Sequence, residues 1–381
     1  MHYFFELGRQ PILSRAEIEH VFFAQKIDYD IIVQDGPVLI VETKKAIDAP
    51  AIMHLLGGTI KIARGLAFDV TDAIITGYLD QNQLDGKIQF SLSPIHTKKQ
   101  ALAVKKELKA LERSVRYIEP KNTATILHNN LVEKGTDLTI YKKQLFVTEA
   151  IQPIEELGKR DYDRPGRDSK SGMLPPKLAK IMLNLAIDTA DKNIKILDPF
   201  CGSGTIIIEA MMMEYTNIIG SDITPKAATD TKNNIYWLAK EYEHITNEQC
   251  DQVQIVNHEV QSIDRVVSEK RIDAIVPEPY MGLPIRANDT KQMLETQANT
   301  LAELYKNAFV AFKKILKSNG TIVMIIPKFK QEEEWITIDC LPEIKKLGFE
   351  IVPLTYKEPS LLYHRENQFV GREIWKFKLT K

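Results

Sequence analysis

Two short runs in this 381-residue chain combine residue types that can do chemistry. In the first, apolar Ile194, Ile196 and Leu197 end at Asp198-Pro199-Phe200. A loop of small residues follows, Cys201-Gly202-Ser203-Gly204, and a helical pattern opens at Thr205. Strand, glycine turn, helix N-terminus is an order that cradles a nucleotide-like ligand, because glycine permits backbone angles and close approach that a side chain would block. A phosphate-binding P-loop fits poorly, since Gly-Thr-Ile stands where Gly-Lys-Ser/Thr is needed. A dinucleotide loop would require a third glycine at Ile207. The second run is Ile275-Val276-Pro277-Glu278-Pro279-Tyr280-Met281-Gly282, an apolar stretch that sets an acid beside an aromatic ring in a loop. Between them, Ile218–Ile223 reads as a strand ending in a carboxylate, Asp222, 20 residues beyond Gly202. A carboxylate there can chelate a ribose diol, or it can cap the helix that Thr224-Pro225 opens.

These residues need a frame. From Lys177 onward strand and helix patterns alternate: helix to Thr189, strand Lys195–Asp198, helix to Met213, strand Ile218–Asp222, helix Lys226–Tyr242, strand Gln252–Val256, strand Ala274–Val276, helix Thr296–Leu316, strand Thr321–Ile326. Such alternation predicts an α/β domain with a parallel, doubly wound sheet and right-handed crossovers. The N-terminal part reads as smaller α/β units. His2–Leu7 is a strand, Ser14-x-x-Glu17 a capping box opening a helix, and Asp35-Gly36 a hairpin turn between two strands. A helix over Thr97–Leu111 and strands at Leu138–Tyr141 and Gln144–Val147 follow. Residues 152–176, dense in proline, glycine and charge, read as a linker.

Composition narrows the class. With 44% hydrophobic and 27% charged residues the chain has the balance of a globular protein. No stretch approaches the roughly 18 apolar residues of a membrane span, and the N-terminus lacks a secretory pattern, so a cytoplasmic location is expected. Three cysteines without metal-like spacing predict neither disulfides nor zinc. A net charge of −1 confines any nucleic-acid binding to local patches. One such patch is Lys98–Lys121, with eight bases (Lys98, Lys99, Lys105, Lys106, Lys109, Arg113, Arg116, Lys121) against three acids. Helical spacing gathers Lys105, Lys106 and Lys109 on one face, which suits either RNA contact or a solvated surface.

The run DPFCGSGT resembles motif I of class I S-adenosylmethionine (SAM) methyltransferases, especially those acting on base amines. The whole chain resembles the THUMP-containing tRNA guanosine-N2 methyltransferases, the family that modifies position 10. Four segments carry this: Phe90-Ser91-Leu92 with the basic helix, Val115–Pro120 and Asn129-Asn130-Leu131; Arg160–Asp168 with Ser171–Ala179; motif I; and Gln368-Phe369-Val370-Gly371-Arg372-Glu373. The resemblance implies a ferredoxin-like domain over 1–58, a THUMP RNA-binding domain over 59–151, the linker, and a Rossmann-like class I methyltransferase domain over 177–381. It implies SAM as cofactor and tRNA as partner, leaving open whether an activator subunit is needed.

The resemblance also implies roles. Asp198, Phe200, Gly202, Ser203, Gly204 and Thr205 would meet the amino-acid end of SAM, Asp222 and Ile223 the ribose and adenine, and Glu259 the adenine amine, with Asp264 a rival. Gly172, Met173, Leu174 and Pro175 would lie across the methionine portion. Motif IV of amino-directed members reads Asp/Asn/Ser-Pro-Pro-Tyr; here Pro-Glu-Pro-Tyr sets the acid one place closer to Pro279-Tyr280 and adds a methylene. Glu278 is still expected to accept the amine's hydrogens, with Pro279 in the turn and Tyr280 stacking on the base. That departure leaves two alternatives, another base amine or a non-catalytic RNA-binding protein. Lys98, Lys99, Lys105, Lys106, Lys109 and Arg116 are the expected RNA contacts. Charge reversal at Lys105, Lys106 and Lys109 should weaken tRNA binding and flatten its salt dependence without changing SAM binding. An unchanged salt slope would make the run a solvated helix face.

Overall fold

The computed structural model describes residues 1–94, 97–167, 173–286, 288–366 and 368–380. The chain forms two compact units. Met1–Pro11, Lys26–His54 and Gly58–Pro153 make the first; Ile12–Gln25, Leu55–Gly57 and Ile154–Lys381 make the second.

In the first unit one eight-stranded sheet runs in the order Tyr29–Asp35, Val38–Thr43, His2–Leu7, Thr59–Ala67, Gln144–Ile151, Asp137–Tyr141, Ile88–Ser93, Val115–Tyr117. Strands from before and after residue 58 therefore share a sheet, with His2–Leu7 antiparallel to Thr59–Ala67. Helices Asp72–Asn82 and Lys98–Ala110 cover it, burying Ile75, Leu79, Ala101, Val104 and Leu108 against Phe90 and Leu92. Because Ala101, Val104 and Leu108 face inward, Lys98, Lys99, Lys106 and Lys109 are exposed and Lys105 is half-buried. Arg116 is exposed on the outermost strand, and Lys98 pairs with Glu119 at 3.0 Å.

The second unit carries a Rossmann-like sheet in the order Gln254–Asn257, Asn217–Asp222, Lys195–Asp198, Ile272–Ile275, Leu316–Gln331, Val370–Leu379, Phe349–Val352. The first five strands are parallel, as the alternating pattern predicts. Val370–Leu379 runs antiparallel to Leu316–Gln331, and Phe349–Val352 antiparallel to Val370–Leu379. No helix-length segment separates Ser360–Tyr363 from Val370–Leu379, so the chain returns as a hairpin rather than a crossover. Two apolar clusters sandwich the sheet, one around Leu178, Met182, Ile207 and Ile235, the other around Phe309, Phe312, Phe329 and Phe377.

Helix Pro11–Ala24 corrects the expected capping box. It begins at proline, whose missing N–H costs nothing in a first helical turn. Ser14 and Glu17 lie buried inside it, and Glu17 Oε1 accepts from the Gly57 amide and Asn184 Nδ2, each at 2.8 Å. A carboxylate with those tertiary partners is not available as a cap.

Linker helix Ile154–Tyr162 is tied to motif I helix Thr205–Met212 by a buried two-point ion pair, Arg160 Nε to Glu209 Oε1 at 2.6 Å and Nη2 to Oε2 at 3.1 Å. The side chains are only 1% and 0% exposed, so removing one partner strands a charge out of water. Glu209→Ala is expected to destabilise the protein by about 3–5 kcal/mol in denaturant unfolding, whereas Arg160→Met with Glu209→Leu should recover most of that loss. A change below about 1 kcal/mol in the single variant would remove the pair from the fold's supports.

Candidate active site

Strand order reverses between Lys195–Asp198 and Ile272–Ile275, and ligands of open α/β sheets bind outside the strand ends at such a reversal. A cavity of about 820 Å³ opens there. Its rim is built from the carboxyl ends of four parallel strands, which deliver Asp198, Asp222, Glu259 and Glu278.

The turn after Lys195–Asp198 is held in an unusual backbone conformation. Gly202 and Gly204 have φ of +52° and +85°. A Cβ on Gly202 would meet nothing nearer than the Phe200 carbonyl at 4.0 Å, whereas one on Gly204 would lie 2.8 Å from Thr231 Cγ2. Gly204 is the N-cap of helix Thr205–Met212, and its amide donates to the Cys201 carbonyl at 2.7 Å. The neighbouring helix Pro225–Glu241 pins the turn. Thr231 Oγ1 donates to the Gly202 carbonyl at 2.9 Å, and Asn234 Nδ2 to the Ser203 carbonyl at 2.7 Å. Phe200, Gly202, Ser203 and Thr205 line the cavity; Gly204, turned toward Thr231, is not among its described lining residues. Cys201 also lines it, but burial pushes its thiol far above the usual range, as befits a packing residue.

Asp198 is 2% exposed, and its Oδ1 accepts from the Phe200 amide at 3.1 Å. Burial raises its pKa well above the usual carboxylate range; the Phe200 amide opposes that, and the charges of Asp222 and Glu278 add to it. Asp222 holds the two backbone turns beside it. Oδ2 accepts from the Gly202 amide at 3.1 Å and Oδ1 from the Thr224 amide at 2.9 Å, while the residue lines the cavity. Ile223, 68% exposed, and Val260 give the same end apolar walls. Glu259 lines the cavity, whereas Asp264 pairs with Lys314 at 2.8 Å and is not among its described lining residues.

Met173 and Leu174 also line the cavity, with Ser203 Oγ 3.8 Å from Met173 Sδ. Pro175 is instead the N-cap of helix Pro176–Ala186 and does not reach the described lining. Its two prolines fix the chain's entry into that helix, which accounts for the placement. Gly172 lies outside the described residues.

Glu278, Pro279 and Tyr280 all line the cavity. Tyr280 is 52% exposed, with its ring at the rim and its carbonyl accepting from buried Tyr305 Oη at 2.8 Å. Gly282, with φ +94°, turns the loop against Gln297, whose Oε1 accepts from the Leu283 amide at 2.8 Å. Glu278 Oε1 accepts from Arg372 Nε at 2.6 Å, both side chains being nearly buried. Burial raises the Glu278 pKa and the guanidinium opposes the rise. Thr231, Asn234, Tyr305 and Arg372 shape the site without a local signature. Of these only Arg372 falls in a segment, Gln368–Glu373, that carries the family resemblance.

Residues 164–346 match the UPF0020 family, described as an RMKL-like methyltransferase domain. Over 341 residues the chain is 24% identical to the tRNA (guanine(10)-N2)-dimethyltransferase of Methanothermobacter thermautotrophicus, covering 86% of this chain and 88% of that one. The protein of Methanothermococcus thermolithotrophicus named "probable tRNA (guanine(10)-N2)-dimethyltransferase" is 31% identical over 148 residues, 38% of this chain and 82% of that one. This chain belongs to the tRNA (guanine(10)-N2)-dimethyltransferase family. TrmN from Thermus thermophilus shares the fold, with a TM-score of 0.53 at 14% identity over 100% of both chains.

As a member of this family, the protein should depend on the motif I turn for SAM. Gly204→Ala combines a left-handed φ with the Thr231 contact, so calorimetry should show SAM binding weakened by about tenfold or more. Gly202→Ala meets open space and should lose less. Parental affinity in both would mean the turn's geometry does not limit binding.

Proposed function

We propose that this chain methylates the exocyclic N2 amine of the guanosine at position 10 of tRNA, up to the dimethylated state, using SAM, in the cytoplasm. The observation that carries the reading is the convergence of a glycine turn, a carboxylate at the next strand end and an acid–Pro–Tyr loop on one cavity.

The cavity's chemistry fits SAM. Buried Asp198 suits an ammonium group, whose charge would draw its carboxyl back toward ionisation. Asp222 Oδ1 already accepts from the Thr224 amide and hydroxyl, whereas Oδ2, bound only by the Gly202 amide, keeps a lone pair for a ribose hydroxyl. Ile223 and Val260 suit the faces of adenine and Glu259 its amine, while Met173 and Leu174 suit the methionine chain. SAM bound there supplies an electrophilic methyl group on a sulfonium centre.

The protein's remaining task is to make a poor nucleophile react. The guanine N2 lone pair is delocalised into the ring. An acceptor that takes its hydrogens favours a pyramidal nitrogen with the lone pair free. Glu278 is the acid placed to do so, and Tyr280 offers an exposed ring on which the flipped base stacks. As the N–C bond forms, the methyl–sulfur bond of SAM would break to leave neutral S-adenosylhomocysteine, and the surplus N2 proton would leave toward the Glu278 carboxylate or water. The first unit, with its exposed lysines on Lys98–Ala110 and Arg116, is proposed as the THUMP-bearing tRNA contact.

Transfer of tritiated methyl to unmodified tRNA, with mass spectrometry of nucleosides around position 10, tests the assignment. Glu278→Ala should lower kcat by about a hundredfold or more while SAM affinity stays within about twofold. Tyr280→Ala should act likewise, and Tyr280→Phe should be milder because stacking survives. Equal transfer by parent and Glu278→Ala would remove Glu278 from the site. No transfer by the parent across tRNA and rRNA would favour the non-catalytic reading.

A further inference from the structure

The acid of motif IV has a fixed partner from a distant part of the chain. Arg372 lies on Val370–Leu379, opposite Pro327 of Leu316–Gln331 and Tyr363 of Ser360–Tyr363, so its backbone is held on both edges. From there Nε reaches Glu278 Oε1 at 2.6 Å with the two side chains 13% and 15% exposed. On the loop side, the Pro277 carbonyl accepts from the Ile325 amide at 3.5 Å, and Tyr305 holds the Tyr280 carbonyl. Glu278 is thus clamped on both sides of its backbone and at one carboxylate oxygen.

That clamp answers the departure from the Asp-Pro-Pro-Tyr spacing. A glutamate one place closer, with one more rotatable bond, has more ways to point than the shorter acid, and each must be suppressed for the amine to meet it. We propose that Arg372 is a positioning residue for methyl transfer: its guanidinium occupies Glu278 Oε1 and aims Oε2 at the guanine amine. The inference rests on the Glu278 role proposed above.

Two consequences separate aiming from mere support of the sheet. First, the guanidinium is the cation facing Glu278. Among the described residues, the other titratable groups that feel the charge of Glu278 are Asp198 at the end of Lys195–Asp198 and Tyr305 from helix Lys291–Ile315, neither of which carries positive charge. Burial already raises the Glu278 pKa against Arg372, so losing the guanidinium raises it further. Because the carboxylate is the form that accepts N–H, activity is lost as pH falls through that pKa, and the acid limb moves to higher pH. Second, an effect exerted through Glu278 vanishes once Glu278 is changed.

The test is single-turnover methyl transfer to unmodified tRNA against pH, with SAM affinity by calorimetry, for Arg372→Gln, Arg372→Lys, Glu278→Gln and the double Glu278→Gln/Arg372→Gln. Arg372→Gln should lower the rate by about tenfold to a hundredfold with SAM affinity within about twofold of parent, and shift the acid limb upward. Arg372→Lys keeps the charge without the planar fork, so its limb should stay near the parent while its rate falls. The double variant should be no slower than Glu278→Gln. A parental rate and limb in Arg372→Gln, or additive losses in the double variant, would overturn the proposal. Should Arg372→Gln fail to bind SAM, a parental rate in Arg372→Lys overturns it. A parental rate in Glu278→Gln would instead sink the role of Glu278, and the proposal with it.

Discussion

The site depends on burying acids near one another at the ends of parallel strands. Asp198, Asp222 and Glu278 face one cavity, and Asp198 feels the charge of the other two. Left alone, Asp198 and Glu278 would resist ionisation, since burial takes both carboxylates out of water and Asp198 is further repelled by its neighbours. The protein answers each acid differently. Asp198 takes one backbone amide, Asp222 takes two, and Glu278 takes a guanidinium.

Holding those amides in place requires a rigid turn, and the helix Pro225–Glu241 supplies the rigidity. Thr231 and Asn234 are fully buried polar residues spaced one helical turn apart, and both spend their hydrogen bonds on carbonyls of the glycine turn. Asn234 also exchanges two bonds with Gly166 of the linker segment, Nδ2 to its carbonyl and Oδ1 from its amide. One asparagine thereby joins the motif I turn to the segment preceding Met173. The Arg160–Glu209 pair makes a second tie between linker and motif I helix. Buried polar groups this fully satisfied specify a single arrangement more than they add stability.

The motif IV loop is assembled on the same logic from the other half of the sheet. Its strand ends at Ile275, Tyr305 fixes the Tyr280 carbonyl, Gln297 fixes the turn at Gly282, and Arg372 fixes the acid. The loop leaves one ring, Tyr280, projecting at the rim. Rigid backbone beneath an exposed aromatic is what stacking on a flipped base requires, because the entropy of ordering the ring is spent before the base arrives.

How much of this was legible in the chain alone follows from the range of the interactions. Motif I, Asp222 and the Pro-Glu-Pro-Tyr loop were readable because their geometry is local: glycines where φ is positive, a carboxylate where a strand ends, prolines where a loop turns. Parallel strands were readable from alternation, since a crossover helix leaves a periodic trace. The antiparallel return of Val370–Leu379 left none, and only the sheet brings Arg372 to Glu278, 94 residues away. Ser14-x-x-Glu17 shows the converse, a local pattern overruled because burial gave the carboxylate tertiary partners. Sheet pairing across residue 58 is equally non-local: His2–Leu7 joins Thr59–Ala67, while Ile12–Gln25 belongs to the second compact unit. The sequence by itself determined which residues could do the chemistry; tertiary structure decided which partners hold them, because hydrogen bonds and ion pairs between distant segments leave no periodicity to read.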